Sequence, residues 1–554
     1  MAVDTETTGL DAHTDKLRLI QIAVAGIPVL VIDCFSFLPD GLNIIKEILE
    51  SRAVKIFQNA KFDLQFFMAI KVYPSHIFDT MLAGQLLRTS SGASRFNLDA
   101  LARHYLNETV AKNEQKSDWS GKLMNSQLEY AANDAYVLFR LRETMVKRIH
   151  ENKLSEIALI EFSCAAAIAQ IEYTGICLDI PRWNDLFGET EKERDEALET
   201  LYTYTGEPSV QMNLFGEEES QGHNFDSNPF VMKLLHDKGI QVRSTSKHDL
   251  TPHSKHPLVQ AISAYRKAAK SLSSFLYPIP GMIHRKTGRL HPRYGQIGAL
   301  SGRMTCGNPN IQQIPRSPKF RACFIAPAGR KLIAADYSQI ELRVAAEITH
   351  DQRMIAAYRN GDDLHRLTAS LMLGKHIDEI KSQERQAAKA VNFGLIYSMG
   401  AAGLKQYAEQ SYGAEMTLEQ AEEFRNRFFK AYTGIENWHR KLKKAPPKES
   451  RTLAGRKFTF SENAGLAVLS NTPVQGTGAD IVKKALGLLV NRLRGMDAYI
   501  VGVVHDEILL EASDENANEM AELLKSTMED AGNSILKQVP CQADVNISQN
   551  WVKT

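Results

Sequence analysis

The sequence predicts a multidomain protein that combines α/β and α+β parts. Three observations predict it. At 554 residues the chain is too long for one core. Its first 150 residues pass from strand patterns to mixed strand and helix, as a small α/β domain does. The rest alternates long helical patterns with short β-rich runs that end in acids. Hydrophobic residues make up 44%, enough for ordinary globular cores.

Composition narrows the classes. No run of eighteen apolar residues appears, so no membrane span is expected. Met1 onward lacks a basic-then-apolar pattern, so a cytoplasmic or organellar rather than secreted protein is expected. Cys34, Cys164, Cys177, Cys306, Cys323 and Cys541 are scattered with no C-x-x-C pair, which argues against disulfides and zinc. The net charge of +1 says nothing for nucleic acid, but its distribution does. From Leu250 to Ala335 there are fourteen Lys and Arg and no Asp or Glu. A surface of one sign is expected where a polyanion lies.

In chain order, residues 1–150 open on Val3-Asp4-Thr5-Glu6-Thr7-Thr8-Gly9. Leu17–Val24 and Pro28–Ile32 read as strands, and Val54–Phe57 as a short one. Leu42–Leu49, Phe62–Ile70 and about Gln127–His150 read as helices. Only three residues precede Asp4, as expected of a fragment. Asp4 and Glu6, two apart on a strand, share a face. Tyr130 and Asp134, four apart on a helix, also share one. Asn59 and Asp63 fall at a strand-to-helix junction.

Residues 151–180 read as an apolar helix, and Arg182 to about Tyr204 as a charged one. Glu207–Asn228 has no usable periodicity and reads as a loop. Helices return over Asn228–Tyr277, with Arg266, Lys267 and Lys270 on a basic side. Ser301-Gly302-Arg303 and Asn308–Pro315 are loop-rich, basic and rich in amides, which suits minor-groove edges. Lys331–Asp336 reads as a strand leading straight into a helix near Ser338. Tyr499–Val504 and Ile508–Leu510 flank His505-Asp506-Glu507, a hairpin with acids at its turn. Acids beside apolar strands are costly unless a metal or solvent compensates. Asp336 and Asp506 are the candidate pair for a two-metal site.

The chain is organised around residues 385–397. Arg385, Lys389, Phe393 and Tyr397 recur every fourth residue, so a helix sets them on one side, about 6 Å apart along the axis. Ala387, Ala388, Val391 and Leu395 fall on the packing side. Two cations suit a chain of phosphates, and an aromatic beyond them suits a stacked base. The front therefore fits a nucleoside triphosphate held lengthwise; the alternative is an amphipathic surface helix with two solvated cations. Gly394, mid-helix, predicts a close approach to the backbone.

DTET, QNAKFD and YAAND, in order, resemble the tyrosine-bearing DEDD 3′–5′ exonucleases over roughly residues 1–140. That family's fold is ribonuclease H-like. The resemblance implies that Asp4, Glu6, Asp63 and Asp134 hold two Mg²⁺ ions, with Mn²⁺ as a substitute, and that Tyr130 orients the attacking water. DYSQIELR, RQAAKAVNFGLIY and VHDE resemble motifs A, B and C of family A DNA polymerases, the family of bacterial DNA polymerase I. SGRMTCGNPNIQQIP and NTPVQGTGADIVKKA fit the same family, whose N-terminal 5′ nuclease has no counterpart in this sequence.

The second resemblance implies a right-hand fold over 151–554. Palm would be 155–180, 325–350 and 455–554; thumb 181–300; fingers 351–450. It implies Asp336 and Asp506 as ligands of a second Mg²⁺ pair. Arg385, Lys389 and His365 would bind phosphates, with Lys389 also protonating pyrophosphate. Phe393 would lie against sugar and base. Glu341 and Tyr397 would wall off the 2′ position, and Gln339 would bind the nucleotide. Arg303, Asn471 and Gln475 would touch the minor groove, His505 the primer end, and Arg266 and Lys267 the duplex. Glu507 would only support the site. Primer-template DNA, dNTPs and a single-stranded 3′ end are the implied partners of a monomer. A single-subunit RNA polymerase shares the hand, but the exonuclease motifs and Glu341 disfavour it. A silent DNA-binding scaffold would need neither acid pair, and a repair nuclease would not need the 385–397 helix.

Overall fold

The computed structural model describes residues 1–36, 39–87, 95–111, 113–207, 209–212, 218–221 and 223–553. The N-terminal domain is built on a five-stranded sheet in the order β3-β2-β1-β4-β5, with β1 (Ala2–Thr7), β2 (Leu17–Ala23), β3 (Leu30–Asp33), β4 (Lys55–Phe57) and β5 (Ile77–Asp79). β1 to β3 run antiparallel, and β4 and β5 continue parallel to β1. Every residue of β2 is buried, as expected of a strand covered on both faces. The helix Asn125–Glu151 packs across β1 and β2.

The helix Ser155–Thr174 is the hub. Among the described residues it alone is long and apolar enough to cross a membrane, yet 67% of its most apolar window is buried inside the fold. It packs on the helix Leu466–Arg492, on the strand Ala498–Val504 and, from the other side, on Ala60–Ala69 of the N-terminal domain. Phe78 and Phe162 meet at 4.7 Å across that junction, so one apolar core runs through both parts of the chain.

The C-terminal part centres on a four-stranded antiparallel sheet. Its order is Ala498–Val504, Glu507–Ser513, Arg330–Tyr337, Ala543–Ser548. The helix Ala517–Ile535 covers one face. Ile180–Thr205 and Pro257–Ser271 form a helical arm around a separate small core that includes Leu201, Phe225, Leu235 and Ile262. The stretch expected as a loop, Glu207–Asn228, contains a two-stranded hairpin, Ser209–Met212 with Glu218–Gln221. The first strand alternates Val210 and Met212 with polar residues over only four positions and the second is polar throughout, too short a pattern to announce a hairpin.

A second helical unit carries the central helix, Ser382–Ile396, between Leu364–Leu373 and Ala401–Tyr412. Ala388, Val391 and Leu395 are buried on its back, as expected, and Ala387 is half-buried. The helix stops one residue before Tyr397. Gly394 does face a close approach, and the neighbours are Leu404 and Met399, 3.2 and 3.3 Å from where a Cβ would stand.

The hub helix and the helix Leu466–Arg492 are locked together by buried charge. Glu161 accepts from Lys483 Nζ at 2.5 Å and from Arg456, and Arg456 reaches Asp480 at 2.7 Å. All four side chains are at most 3% exposed. Gln296 adds a 2.5 Å hydrogen bond to Glu161. Removing one member strands its partners in a dry interior. Glu161→Ala should therefore lower unfolding stability by about 3–5 kcal/mol in a denaturant melt of the full chain.

Candidate active sites

The first site lies where β1 ends under the Asn125–Glu151 helix. Strand geometry puts Asp4 and Glu6 on one face, while Thr5 on the other donates to Asp63 Oδ1 at 2.6 Å. Asp134 and Tyr130 come from the helix, one turn apart, so that each is near enough to shift the other's proton affinity. The four acids feel one another's charge. Burial, then Asp63, Glu6 and Asp134, pushes Asp4 well up. Burial and the neighbouring charges raise Glu6 to about 8. Burial raises Asp63 to about 7 and Asp134 to about 6, against the opposing effects of Thr5 and Tyr130. Burial, then Asp134, also raises Tyr130. Asp134 Oδ1 is buried without a hydrogen-bond partner. A buried carboxylate group in this state is short of positive charge.

Sequence reasoning passed over Asp79. It is buried and accepts from the backbone N–H of Ala60 (2.8 Å) and Asn59 (3.3 Å) at the start of the Asp63 helix, and from Met81 and Leu82 at the next helix. Asn59 is left-handed, φ 60°, so Asp79 fixes a turn that aims Asp63. An Asp ending a strand before a helix was the available signal.

The second site is a cleft of about 620 Å³ between the antiparallel sheet and the central helix. Asp336 sits near the end of its strand and pairs in register with Glu507 on one side and Asp544 on the other. The turn at His505-Asp506 brings Asp506 beside it: Tyr337 N–H donates to the Asp506 carbonyl at 3.4 Å. Burial, then the Asp336 charge, raises the Asp506 carboxyl to about 7. His505 takes φ 59° to make that turn. Glu507 is 4% exposed and bound to Arg321 at 3.1 Å, so it supports the site from behind. Arg385, Lys389, Phe393, His365, Gln339, Glu341, Arg303, Gln475 and His505 all line the cleft, as expected.

The internal partners of these groups are what the sequence did not show. Arg385 Nε is 2.7 Å from Asp363, which also caps the Leu364–Leu373 helix. Lys389 Nζ stands 5.9 Å from the Tyr412 ring. Arg303 reaches Glu341 Oε1 at 2.5 Å, and the Tyr397 hydroxyl donates to Oε2. Tyr397 thus lies behind Glu341 and off the cleft wall. Gln339 is left-handed, φ 55°, and accepts from the Tyr358 hydroxyl at 3.1 Å. Asn471 lies a turn before Gln475, outside the cleft lining, with its Oδ1 buried and unpaired.

His365 is 1% exposed and neutral, pushed down to about 4 by burial and then by Arg385 and Lys389. Asn392 sets its tautomer: Thr368 Oγ1 lies 2.9 Å from Asn392 Oδ1, so the amide NH₂ donates to His365 Nδ1 at 2.8 Å. Nε2 then carries the proton, and it has no partner within the protein.

Arg266 requires a correction. Its guanidinium is taken by the carbonyls of Phe225 (2.8 Å) and Thr245 and by Thr245 Oγ1 (3.0 Å). Buried backbone acceptors needed a donor, so Arg266 holds the arm together and is not free for a duplex. Lys267 is exposed. Among the described residues no three His, Cys, Asp or Glu side chains form a closed metal cluster. The acids come as open groups that leave positions for other oxygens.

Two family models match the chain: "3'-5' exonuclease" over residues 1–150 and "DNA polymerase family A" over residues 187–553. DNA polymerase I of Aquifex aeolicus is 35% identical, covering 100% of this chain and 95% of that protein. DNA polymerase I of Pseudomonas aeruginosa is 30% identical over 100% of this chain, which spans 63% of that longer protein. The thermostable DNA polymerase I of Thermus filiformis is 33% identical over 77% of this chain and 51% of its own length. The solved "POL domain of Pol1 from M. smegmatis complex with DNA primer-template and dNTP" has the same fold, at a TM-score of 0.82 and 24% identity over 100% of this chain and 95% of that one. The chain belongs to the family A DNA polymerases, with a 3′–5′ exonuclease domain ahead of the polymerase domain.

Proposed function

We propose that the chain extends a primer 3′-OH with dNTPs on a DNA template in the cleft around Asp336 and Asp506, and removes mismatched 3′ ends at Asp4, Glu6, Asp63 and Asp134. The observation that carries this is the presence of two separated groups of acids, each crowded enough that burial and neighbouring negative charge raise one of its carboxyls. Palm, thumb and fingers take the boundaries given above. Divalent cations, Mg²⁺ first and Mn²⁺ as a substitute, fit both groups. The orphaned Asp134 Oδ1 and the raised Asp506 carboxyl support that fit. When bound, they supply a polarised nucleophile and stabilise the leaving oxygen.

The chain's own residues do the rest. Arg385 and Lys389 hold the triphosphate, and His365 donates one hydrogen bond from Nε2 without adding charge. Lys389 also protonates the leaving pyrophosphate. Phe393 lies against the sugar and base. Glu341, held from two sides by Arg303 and Tyr397, blocks the 2′ position. Gln475 presents its amide to the minor groove, which tests pair shape without reading sequence, and Gln339 binds the nucleotide. His505 faces the primer end, and Lys267 the duplex backbone. Tyr130 orients water at the exonuclease acids. The chain acts as a monomer.

Asp336→Ala should abolish extension and spare primer degradation, and Asp63→Ala should do the reverse, in gel assays on a mismatched primer with Mg²⁺. Loss of both activities in either variant would contradict two sites. Glu341→Ala should raise ribonucleotide incorporation about tenfold or more, since the discrimination rests on a steric wall; an unchanged dNTP-to-rNTP ratio would remove that role.

The exonuclease acids also set a pH dependence. Glu6 at about 8, Asp63 at about 7 and Asp134 at about 6 bind protons in the folded chain that the unfolded chain, with ordinary carboxyls, has released. In EDTA, stability should therefore fall as pH rises from about 5 to 8. Added Mn²⁺ should stabilise more at pH 8 than at pH 5.5, as read by the thermal midpoint.

A further inference from the structure

One cation beside the synthetic site belongs to neither family motif. Lys553 Nζ is 2.8 Å from Asp336 Oδ2 and 3.7 Å from Glu507 Oε1. The segment that delivers it is fixed. Trp551 is 1% exposed, its N–H donates to the Phe324 carbonyl at 3.0 Å, and its ring meets Phe324 edge-on at 5.6 Å. The Arg321 guanidinium lies 4.3 Å over the Trp551 ring while it binds Glu507. Val552 is held from both sides: its N–H donates to Asn550 Oδ1 at 3.1 Å, and its carbonyl accepts from Asn546 Nδ2 at 2.9 Å.

The anchored backbone leaves Lys553 little more than its own rotamers to order, so the ammonium reaches Asp336 at a low entropic cost. It does so in a separate recess of about 260 Å³, lined by Arg316, Arg321, Asp336, His505, Asp506 and Glu507. Asp336 and Asp506 repel when both are ionised, and Lys553 neutralises one of them. A divalent cation that takes the Asp336 carboxylate must displace or share an oxygen already bound by an internal cation.

We propose that Lys553 is a built-in counter-ion of Asp336 that competes with the divalent cation, so that the free enzyme holds metal weakly at the synthetic site. The incoming triphosphate reverses this. It brings further oxygens for the cation and offers Lys553 another anion to pair with. Lys553 is then a positioning residue that ties metal loading to substrate arrival. The inference rests on the reading of Asp336 and Asp506 as metal ligands.

The test is Mn²⁺ binding by electron paramagnetic resonance to the full chain without DNA or nucleotide. An Asp63→Asn background weakens the exonuclease site. Lys553→Met should tighten Mn²⁺ binding about threefold to fivefold, the scale of a half-exposed ion pair, and Lys553→Arg should leave it within about twofold. In an Asp336→Asn background, Lys553→Met should have no effect, because the partner is gone. Equal or weaker binding in Lys553→Met, or the same tightening with Asp336 replaced, overturns the proposal. If Asp336→Asn/Asp506→Asn binds Mn²⁺ as the wild type does, the metal-ligand reading falls, and this inference with it.

Discussion

The register of one strand governs the synthetic site. Arg330–Tyr337 is clamped between Glu507–Ser513 and Ala543–Ser548, with Asp336 opposite Glu507 and Asp544. Because side chains alternate, a slip of one residue would bury Asp336 and expose Tyr337. Tyr337 opposes the slip: it is 2% exposed, and its hydroxyl donates to the Met528 carbonyl at 2.7 Å, a bond that a shifted strand would lose. The same register sets acids side by side across three strands, an arrangement that repels. Arg321 on Glu507 and Lys553 on Asp336 offset part of that repulsion. Fold stability and chemistry thus make opposite demands on the same few positions, and the surrounding core has to carry the difference.

A buried charge network extends this constraint toward the nucleotide. Glu161 ties the hub helix to Lys483 and, through Arg456, to Asp480 on the long helix Leu466–Arg492. Gly302 lies directly over Arg456: a Cβ there would meet Arg456 Nε at 2.5 Å, and the residue has φ 80°. Only glycine satisfies both demands. Its neighbour Arg303 then reaches Glu341, and Glu341 receives the Tyr397 hydroxyl at the end of the central helix. Polar contacts at the dry interior and at the group proposed to judge the sugar are therefore joined by the close approach of Gly302 to Arg456. The deep end is rigid because each buried charge there has a partner.

Much of this was legible in the sequence, for a specific reason. Asp4, Glu6, Tyr130, Asp134 and the trio Arg385, Lys389 and Phe393 announce themselves by spacing within one element, and a strand or helix converts spacing into a shared face; Tyr397, just past the helix end, falls outside it. The strand leading into Asp336 and the acid-tipped hairpin were visible in the same way. What stayed hidden depends on contacts far apart in sequence. Asp79 serves the Asp63 helix from a neighbouring strand, and Asn392 orients His365 from another helix. Arg266 sat in a basic stretch and looked free, but backbone carbonyls of Phe225 and Thr245 claim it. Lys553 lies 217 residues from Asp336. No periodicity reports a partner at that distance; only packing does.

Three ion pairs neutralise, inside the free chain, charges proposed to face the substrate. Arg385 pairs with Asp363, Arg303 with Glu341, and Lys553 with Asp336. An empty cleft of bare cations and bare carboxylates would pull in loose anions and metals and would strain the fold by self-repulsion. Pairing them internally removes both problems. It also raises the threshold for entry, because a ligand must replace a bonded partner and not merely fill a space. A triphosphate with its accompanying divalent charge can satisfy Arg385 and Asp336 together. A lone phosphate can satisfy only the first, and a lone cation only the second. Selectivity for the complete substrate then follows from exchanging several ion pairs at once, each modest alone, and needs no single strong contact.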